Sequence, residues 1–406
     1  MFSPIGSPTG IVGAPIGSVF GNQPQAAPKP KPEQPPEASF DRAINYYADY
    51  SGCGHWRMIW PEHILNAHQK YVIHGTTMMV LDERYYANCT AVRVQRQATP
   101  AQLQFIKFLT SIKDKYNFRI IYEIDDIVFH EDIPDYNKFK SAFVDKSIRE
   151  SAVEIMKLCD EITVTNPFMQ QYYAEKTGNK NVTVIPNYPP QWWMGNYYNQ
   201  DEISRRYHKH RKKPRIIYPA SGAHFDVENR VNQRDDFEHI NDVIEKTVDK
   251  YQWVFIGAHP LRLTPLVRQG KIEFHNWQRL YEYPKLLHSL EPTMLIAPLQ
   301  DNTFNKAKSD LKYIEGCSYG IPVACQDLCT YEEAPYKFTT GDELIDTIKT
   351  CTKNKNKYME ISKRARAVAD KRWLELDTNC DKYVELYKYP RGDSKRKHIN
   401  MLAANK

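Results

Sequence analysis

Residues 293–327 read TMLIAPLQDNTFNKAKSDLKYIEGCSYGIPVACQD. TMLIAPL is an apolar run of strand length. SDLKYIEGCSYG reads as a helix with Ile314 and Cys317 on its core side, and IPVACQD reads as a second strand. Strand, helix and strand joined by short links form the repeating unit of a parallel, doubly wound sheet. Working outward, the unit recurs. RIIYPAS (215–221), QWVFIG (252–257) and IEFHN (272–276) read as strands. DDFEHINDVIEKTVDKY (235–251) and LYEYPKLLHSL (280–290) read as helices, as do ELIDTIKTC, YMEISKRARAVADKRW and DTNCDKYVELYKY after residue 342.

The first half alternates in the same way. AINYYADY (43–50), TTMMVL (76–81), TAVRVQRQ (90–97), FRIIYEI (118–124), EITVT (161–165) and VTVI (182–185) read as strands. WRMIWPEHILNAH, IRESAVEIMKLC and FMQQYYAEKTG read as helices. In PAQLQFIKFLTSIKDKY, residues Leu103, Phe105, Ile106, Leu109 and Ile112 recur at helical spacing. The fold class this predicts is α/β: two Rossmann-like doubly wound domains facing each other across a cleft. The expected organisation is a disordered Pro/Gly-rich leader over 1–39, a first domain over 40–200 and a basic interdomain linker over 201–213. A second domain over 214–372, a helix crossing back over 373–390 and a basic tail over 391–406 complete it. Open α/β sheets bind ligands beyond the C-terminal ends of their strands, so the cleft is where chemistry is expected.

Composition narrows the function. A chain of 406 residues with 41% hydrophobic and 12% aromatic residues can bury two cores. No apolar run approaches the roughly 18 residues of a membrane span, and the start lacks a signal-peptide pattern, so a cytoplasmic location (host cytoplasm if viral) is expected. Eight scattered cysteines, with Cys325 and Cys329 the closest pair, argue against a zinc site or disulfide framework, and no metal is expected. The net charge is +6, and its excess gathers in RRYHKHRKKPR (205–215) and in the tail from Arg391. Such blocks bind phosphate-rich polymers or anionic surfaces, or simply stay solvated.

Several stretches carry a resemblance. Glu315, Gly320 and Pro322, followed by a short apolar strand, are spaced as in the signature near the end of the second domain of GT-B glycosyltransferases, family 4 in particular. SGCGHWR (51–57) resembles the glycine loop after the first strand of such enzymes, and YEIDDIVF an acidic strand end. ITVTNPFMQQYY followed by VTVIPNY resembles the last strands before their interdomain link. The resemblance covers roughly residues 43–390 and implies transfer of a sugar from a nucleotide-diphosphate sugar, a UDP-sugar, with retention and with no bound cofactor. One position departs from it: the first Glu of the family, eight residues before Glu315, is Ala307 here, between Lys306 and Lys308.

The residues suit this chemistry. A diphosphate leaving group calls for cations and free helix N–H groups, so Lys308, Ser309 and Lys312 at the mouth of the 309–320 helix are donor-site candidates, with Ser309 also a candidate N-cap. Glu315, by resemblance, accepts from the ribose hydroxyls. Gly222 and Gly257 at strand ends permit close backbone approach, and Asn276 in FHNWQ lies where relatives hold the base, with Trp277 beside it. Gly52, Gly54 and Arg57 are candidates for the transferred sugar and the phosphate. His224, Asp125 and Asp126 are the catalytic candidates. His224 can donate to a phosphate or sugar oxygen. The two aspartates either take the acceptor proton, cap a turn, or form the metal-binding pair of other glycosyltransferases. The acceptor stays open among a hydroxymethylated base in DNA, as modified by enzymes of some bacteriophages, a surface glycan, and a protein or small molecule. DNA would be held through segments 205–215 and 391–406. A non-catalytic binder on the same scaffold and a sugar-nucleotide epimerase are the rival classes.

Overall fold

The alternation of buried β-branched runs with amphipathic stretches folds into two parallel sheets. The structure is a computed structural model that describes residues 42–68, 72–226, 234–376 and 378–388. The leader 1–39 and the tail 391–406 lie outside the described residues. The first sheet contains β1 (Arg42–Tyr46), β2 (Val72–Thr76), β3 (Cys89–Gln95), β4 (Arg119–Glu123), β5 (Glu161–Val164) and β6 (Val182–Val184), in the order β2-β1-β3-β4-β5-β6. The second contains β7 (Arg215–Ala220), β8 (Gln252–Gly257), β9 (Glu273–Asn276), β10 (Met294–Ala297), β11 (Val323–Gln326) and β12 (Lys337–Phe338), in the order β12-β11-β10-β7-β8-β9. Every pairing is parallel, so both faces need helices, and the central strands are buried throughout.

The helices that matter below are α1 (Trp60–Ala67), α2 (Pro100–Tyr116), α3 (Lys146–Leu158), α4 (Pro167–Thr177) and α5 (Gln200–His210). They continue with α6 (Asn241–Thr247), α7 (Tyr283–Ser289), α8 (Thr303–Lys306), α9 (Leu311–Ser318), α10 (Gly341–Thr352), α11 (Lys355–Asp370) and α12 (Asp381–Tyr387). Local chemistry fixes their ends. Thr99 and Gln102 close a capping box on α2, and Asn166 caps α4 by accepting from Met169 N at 2.8 Å. One core lies between α2, α3 and the first sheet, another fills the second sheet, and a third joins Trp56, Trp60 and Trp193 to Tyr383 and Tyr387 of α12. α12 is bound to the first domain: Arg119 donates to the Leu386 carbonyl, and Tyr387 OH donates to Asn45 Oδ1 at 3.0 Å.

Three expectations are corrected. The strand expected over 76–81 ends at Thr76, because the sheet edge pairs Val72–Thr76 with β1. Residues 201–213 are not a free linker: α5 occupies most of them and packs Ile203 and Tyr207 against Tyr358 of α11, the cations masking an apolar stripe of helical spacing. The helix expected over 235–251 shortens to α6, the stretch before it being held in turns around Asp235 and Asp236.

Candidate functional site

Strand order reverses between β7 and β10 of the second sheet, and crevices at such switch points hold ligands. There β7 runs into Ser221 and a short turn, Gly222–His224, with the Ser221 hydroxyl accepting from Ala223 N. The turn presents His224, whose Nδ1 lies 2.7 Å from Asp236 Oδ2. Oδ1 of Asp236 accepts from Tyr136 OH at 2.7 Å, Asn305 Nδ2 at 2.7 Å and Gln300 N at 2.9 Å, so the carboxylate is fully engaged. Burial, reinforced by the nearby ammonium of Lys312, pushes the His224 imidazole down to about 4. The ring is therefore neutral near neutral pH, its Nδ1 proton on Asp236 and its Nε2 lone pair facing Lys312 Nζ at 3.4 Å. Burial also pulls the Lys312 ammonium below its ordinary range and lifts the Glu315 carboxyl above its own.

α9 starts on the side of this crevice that faces the first domain. Lys308 Nζ reaches Asp126 of the first domain at 3.0 Å, and Ser309 Oγ accepts from Asn187 Nδ2 at 3.0 Å. Asn166, which caps α4, also donates to the carbonyls of Ala307 and Lys308 at 3.2 and 2.9 Å. The mouth of α9 thus lies at the gap between the sheets. Ser309 is not its N-cap: Asp310 takes that position, makes no side-chain cap bond, and pairs with Arg372 at 3.1 Å. Ala307 is wholly buried, packed with Phe304 into the core of the first domain. A glutamate there would carry a charge into apolar packing.

The other second-domain candidates spread along the same edge. Glu315 is buried, one turn beyond Lys312, and its Oε2 accepts from Tyr283 OH at 3.0 Å. Gly257 ends β8 at φ 93°, and a Cβ there would stand 2.5 Å from the Ala220 carbonyl oxygen and 2.8 Å from the Trp277 ring. It pairs with Asn276 across β8 and β9, and Trp277, 66% exposed, follows.

In the first domain the picture divides. Gly54 packs so tightly on the Asp49 backbone that a Cβ would lie 1.9 Å from its carbonyl oxygen, so the loop's own turn explains this glycine; Gly52 has open space there. Arg57 does not reach the cleft. It is fully buried, donating to Glu123 Oε1 and the Ile185 carbonyl at 2.6 Å and to Asn187 Oδ1 at 3.0 Å, while Arg93 takes the other oxygen of Glu123. Through Asn187 this buried network holds Ser309, so Arg57 positions the interdomain edge. Asp126 does face the gap. Arg96 Nε lies 2.8 Å from Asp125, and Lys308 holds Asp126 from the opposite domain.

Sequence reasoning missed Asp236, Tyr136, Asn305, Arg96 and Asn187. The structure holds Arg96, a non-glycine, at φ 50° beside Asp125 and Asp126, which nothing local in the sequence announces. The rest meet through the fold: Tyr136 and Asp236 are 100 residues apart. The basic block 205–215 also lies elsewhere. Its end runs into Pro214 and β7 at the N-terminal edge of the second sheet, opposite to His224.

No family model matches the chain, and no curated protein matches it in sequence. Solved structures do. Anabaena Alr3699/HepE in complex with UDP and glucose is 10% identical and superimposes with a TM-score of 0.56 over 85% of this chain and 98% of that one. The same protein in complex with UDP-glucose aligns equally well, at 10% identity and a TM-score of 0.56 over 85% and 98% of the two chains. An alpha-glucosyltransferase in complex with UDP and a 13-mer DNA containing an HMU base is 11% identical, with a TM-score of 0.51 over 86% and 99% of the two chains. The chain has the two-domain, doubly Rossmann-like GT-B fold of these proteins.

Proposed function

We propose that this chain is a glycosyltransferase that moves a sugar from a UDP-sugar to an acceptor hydroxyl. One observation carries the reading. Lys308, Lys312, His224 and the mouth of α9 gather at the switch point of the second sheet, opposite Asp125 and Asp126 of the first domain. Free N–H groups of a first helical turn and two cations suit a diphosphate whose negative charge grows as the sugar leaves. The structural relatives crystallised with UDP and UDP-glucose support the choice of nucleotide.

In this reading the diphosphate sits between α9 and Lys308, competing with Asp126 for the ammonium. The freed carboxylates of Asp126 and Asp125 then position the acceptor hydroxyl. The neutral His224, oriented by Asp236, accepts at Nε2 from a hydroxyl of the donor sugar. Glu315 holds the ribose, and the Asn276–Trp277 edge walls the base. Gly222 and Gly257 keep the backbone low beneath the donor, and Gly52 faces the sugar from the other side. Retention follows from the resemblance, with the departing phosphate helping deprotonate the acceptor on the same face. The acceptor we favour is a hydroxymethylated base in DNA, on the ground of the clustered cations; glycan synthesis is the alternative. A non-catalytic binder on this scaffold is the competing class, and the sealed Ala307 position favours it. UDP release from UDP-, GDP- and ADP-sugars, with hydroxymethylated and plain duplexes as acceptors, separates these readings. Release from a UDP-sugar that rises with the modified duplex supports transfer; no release from any donor leaves the binder.

A further inference from the structure

A groove of about 1160 Å³ opens at the N-terminal end of the second sheet, beside Pro214 and Tyr251, which lead into β7 and β8. The ends of α5 and α10 and the start of α11 wall it. Arg211, Lys212, Lys250, Lys353, Lys355 and Lys357 line it, all six exposed and none ion-paired among the described residues. The one acid in its lining, Asp346, is already paired with Lys349 at 2.9 Å. Some of this charge has a local explanation, because cations at the ends of α5 and α10 complement their helix dipoles. Lys355 and Lys357 have none. They stand in the first turn of α11, which carries no acid, where the dipole opposes them.

We infer that this groove docks the phosphate backbone of a nucleic acid, at a site separate from the interdomain cleft. Uncompensated cations of one sign in a concave surface favour a polyanion. A bilayer fits less well: the groove is not flat, and none of the large exposed apolar side chains of the described residues lines it, so nothing there would enter the lipid. The two tyrosines in its wall, Tyr207 and Tyr251, are each only 7% exposed. β7, six residues long, separates the groove from His224; at about 3.3 Å per residue this is roughly 20 Å. About six base pairs, at about 3.4 Å each, have that length. Use of the groove in turnover rests on the transferase reading, whereas binding itself does not.

The experiment is fluorescence anisotropy with an unmodified duplex of about 30 base pairs, titrated between about 50 and about 200 mM salt. The variant is the full chain carrying Lys353→Glu, Lys355→Glu and Lys357→Glu, with circular dichroism confirming the fold. Affinity should fall at least about tenfold, and the slope of log affinity against log salt should shrink by about 0.9 for each phosphate that the protein no longer neutralises. Should that variant unfold, Arg211→Glu with Lys212→Glu tests the opposite wall by the same readout. Unchanged duplex affinity in a folded variant overturns the proposal. So does binding to phosphatidylserine vesicles that the variant loses while duplex binding persists. UDP binding to the same variants is the separate control: its failure in the wild-type chain sinks the transferase reading and leaves the groove standing.

Discussion

Asp236→Asn tests how the site is wired. Oδ1 of Asp236 receives three donors, Tyr136 OH, Gln300 N and Asn305 Nδ2, at 2.7, 2.9 and 2.7 Å, and among the described residues Oδ2 receives only His224 Nδ1. The asparagine amide keeps its oxygen where three donors converge, so its NH2 must face His224. The imidazole then has to accept at Nδ1 and carry its proton on Nε2, toward the Lys312 ammonium 3.4 Å away. Four hydrogen bonds to a charge become neutral ones, a loss of about 0.5–1 kcal/mol each, and a donor–donor contact appears at Lys312. A neutral amide costs less to bury, which offsets part of this, so a net destabilisation of about 2 kcal/mol is expected. Denaturant unfolding measures the stability change. Long-range proton–nitrogen correlation on the histidine ring reads the tautomer, Nδ1–H in the wild type and Nε2–H in the variant. UDP release should fall by more than the stability loss explains. An unshifted tautomer, or a stability change under about 0.5 kcal/mol, would refute the wiring.

Ala307→Glu places a carboxylate in the first-domain core; the expected outcome is a loss of about 3 kcal/mol or more in denaturant unfolding and no gain in turnover. Glu315→Ala should weaken UDP binding by calorimetry, with Glu315→Gln recovering part of it; equal affinities in all three proteins would place the ribose elsewhere. Burial lowers the Lys312 ammonium from its ordinary 10.5, so the cation is lost as pH rises through that lowered value. UDP affinity should accordingly fall on the alkaline side earlier than a free lysine would dictate, and Lys312→Arg should remove the fall. His224 works in the opposite range. Its folded value of about 4 lies below the ordinary 6.5, so its neutral-form contribution to stability is complete above 6.5 and is lost as pH falls toward 4. Unfolding free energy measured from pH 7 down to pH 4 should decline, and His224→Gln should flatten part of that decline.

The sheets were legible because their central strands are built on short apolar runs: MLIA, and the IIY of RIIYPA and RIIYE, admit few other readings. The edge strand β2 was not, since VIHGT is interrupted by His74 and Gly75 while the apolar TTMMVL beside it looked the better strand. α5 hid behind its cations, although Ile203 and Tyr207 sit at helical spacing. In the candidate site, Lys308, Lys312 and His224 carry chemistry in their type and in their place beside a strand end, so sequence alone nominated them. Their partners could not be nominated. Asp236 and Tyr136 are ordinary residues until the two domains close on each other, and Arg57 reads as a cleft cation until Glu123, 66 residues away, claims it.

A structure of the chain with UDP bound tests the central claim most directly. The β-phosphate should lie against the first-turn N–H groups of α9 with Lys308 Nζ in contact, and the uracil should lie along the Asn276–Trp277 edge. A nucleotide bound away from α9, or one that leaves Lys308 still paired with Asp126 and untouched by phosphate, would contradict the account.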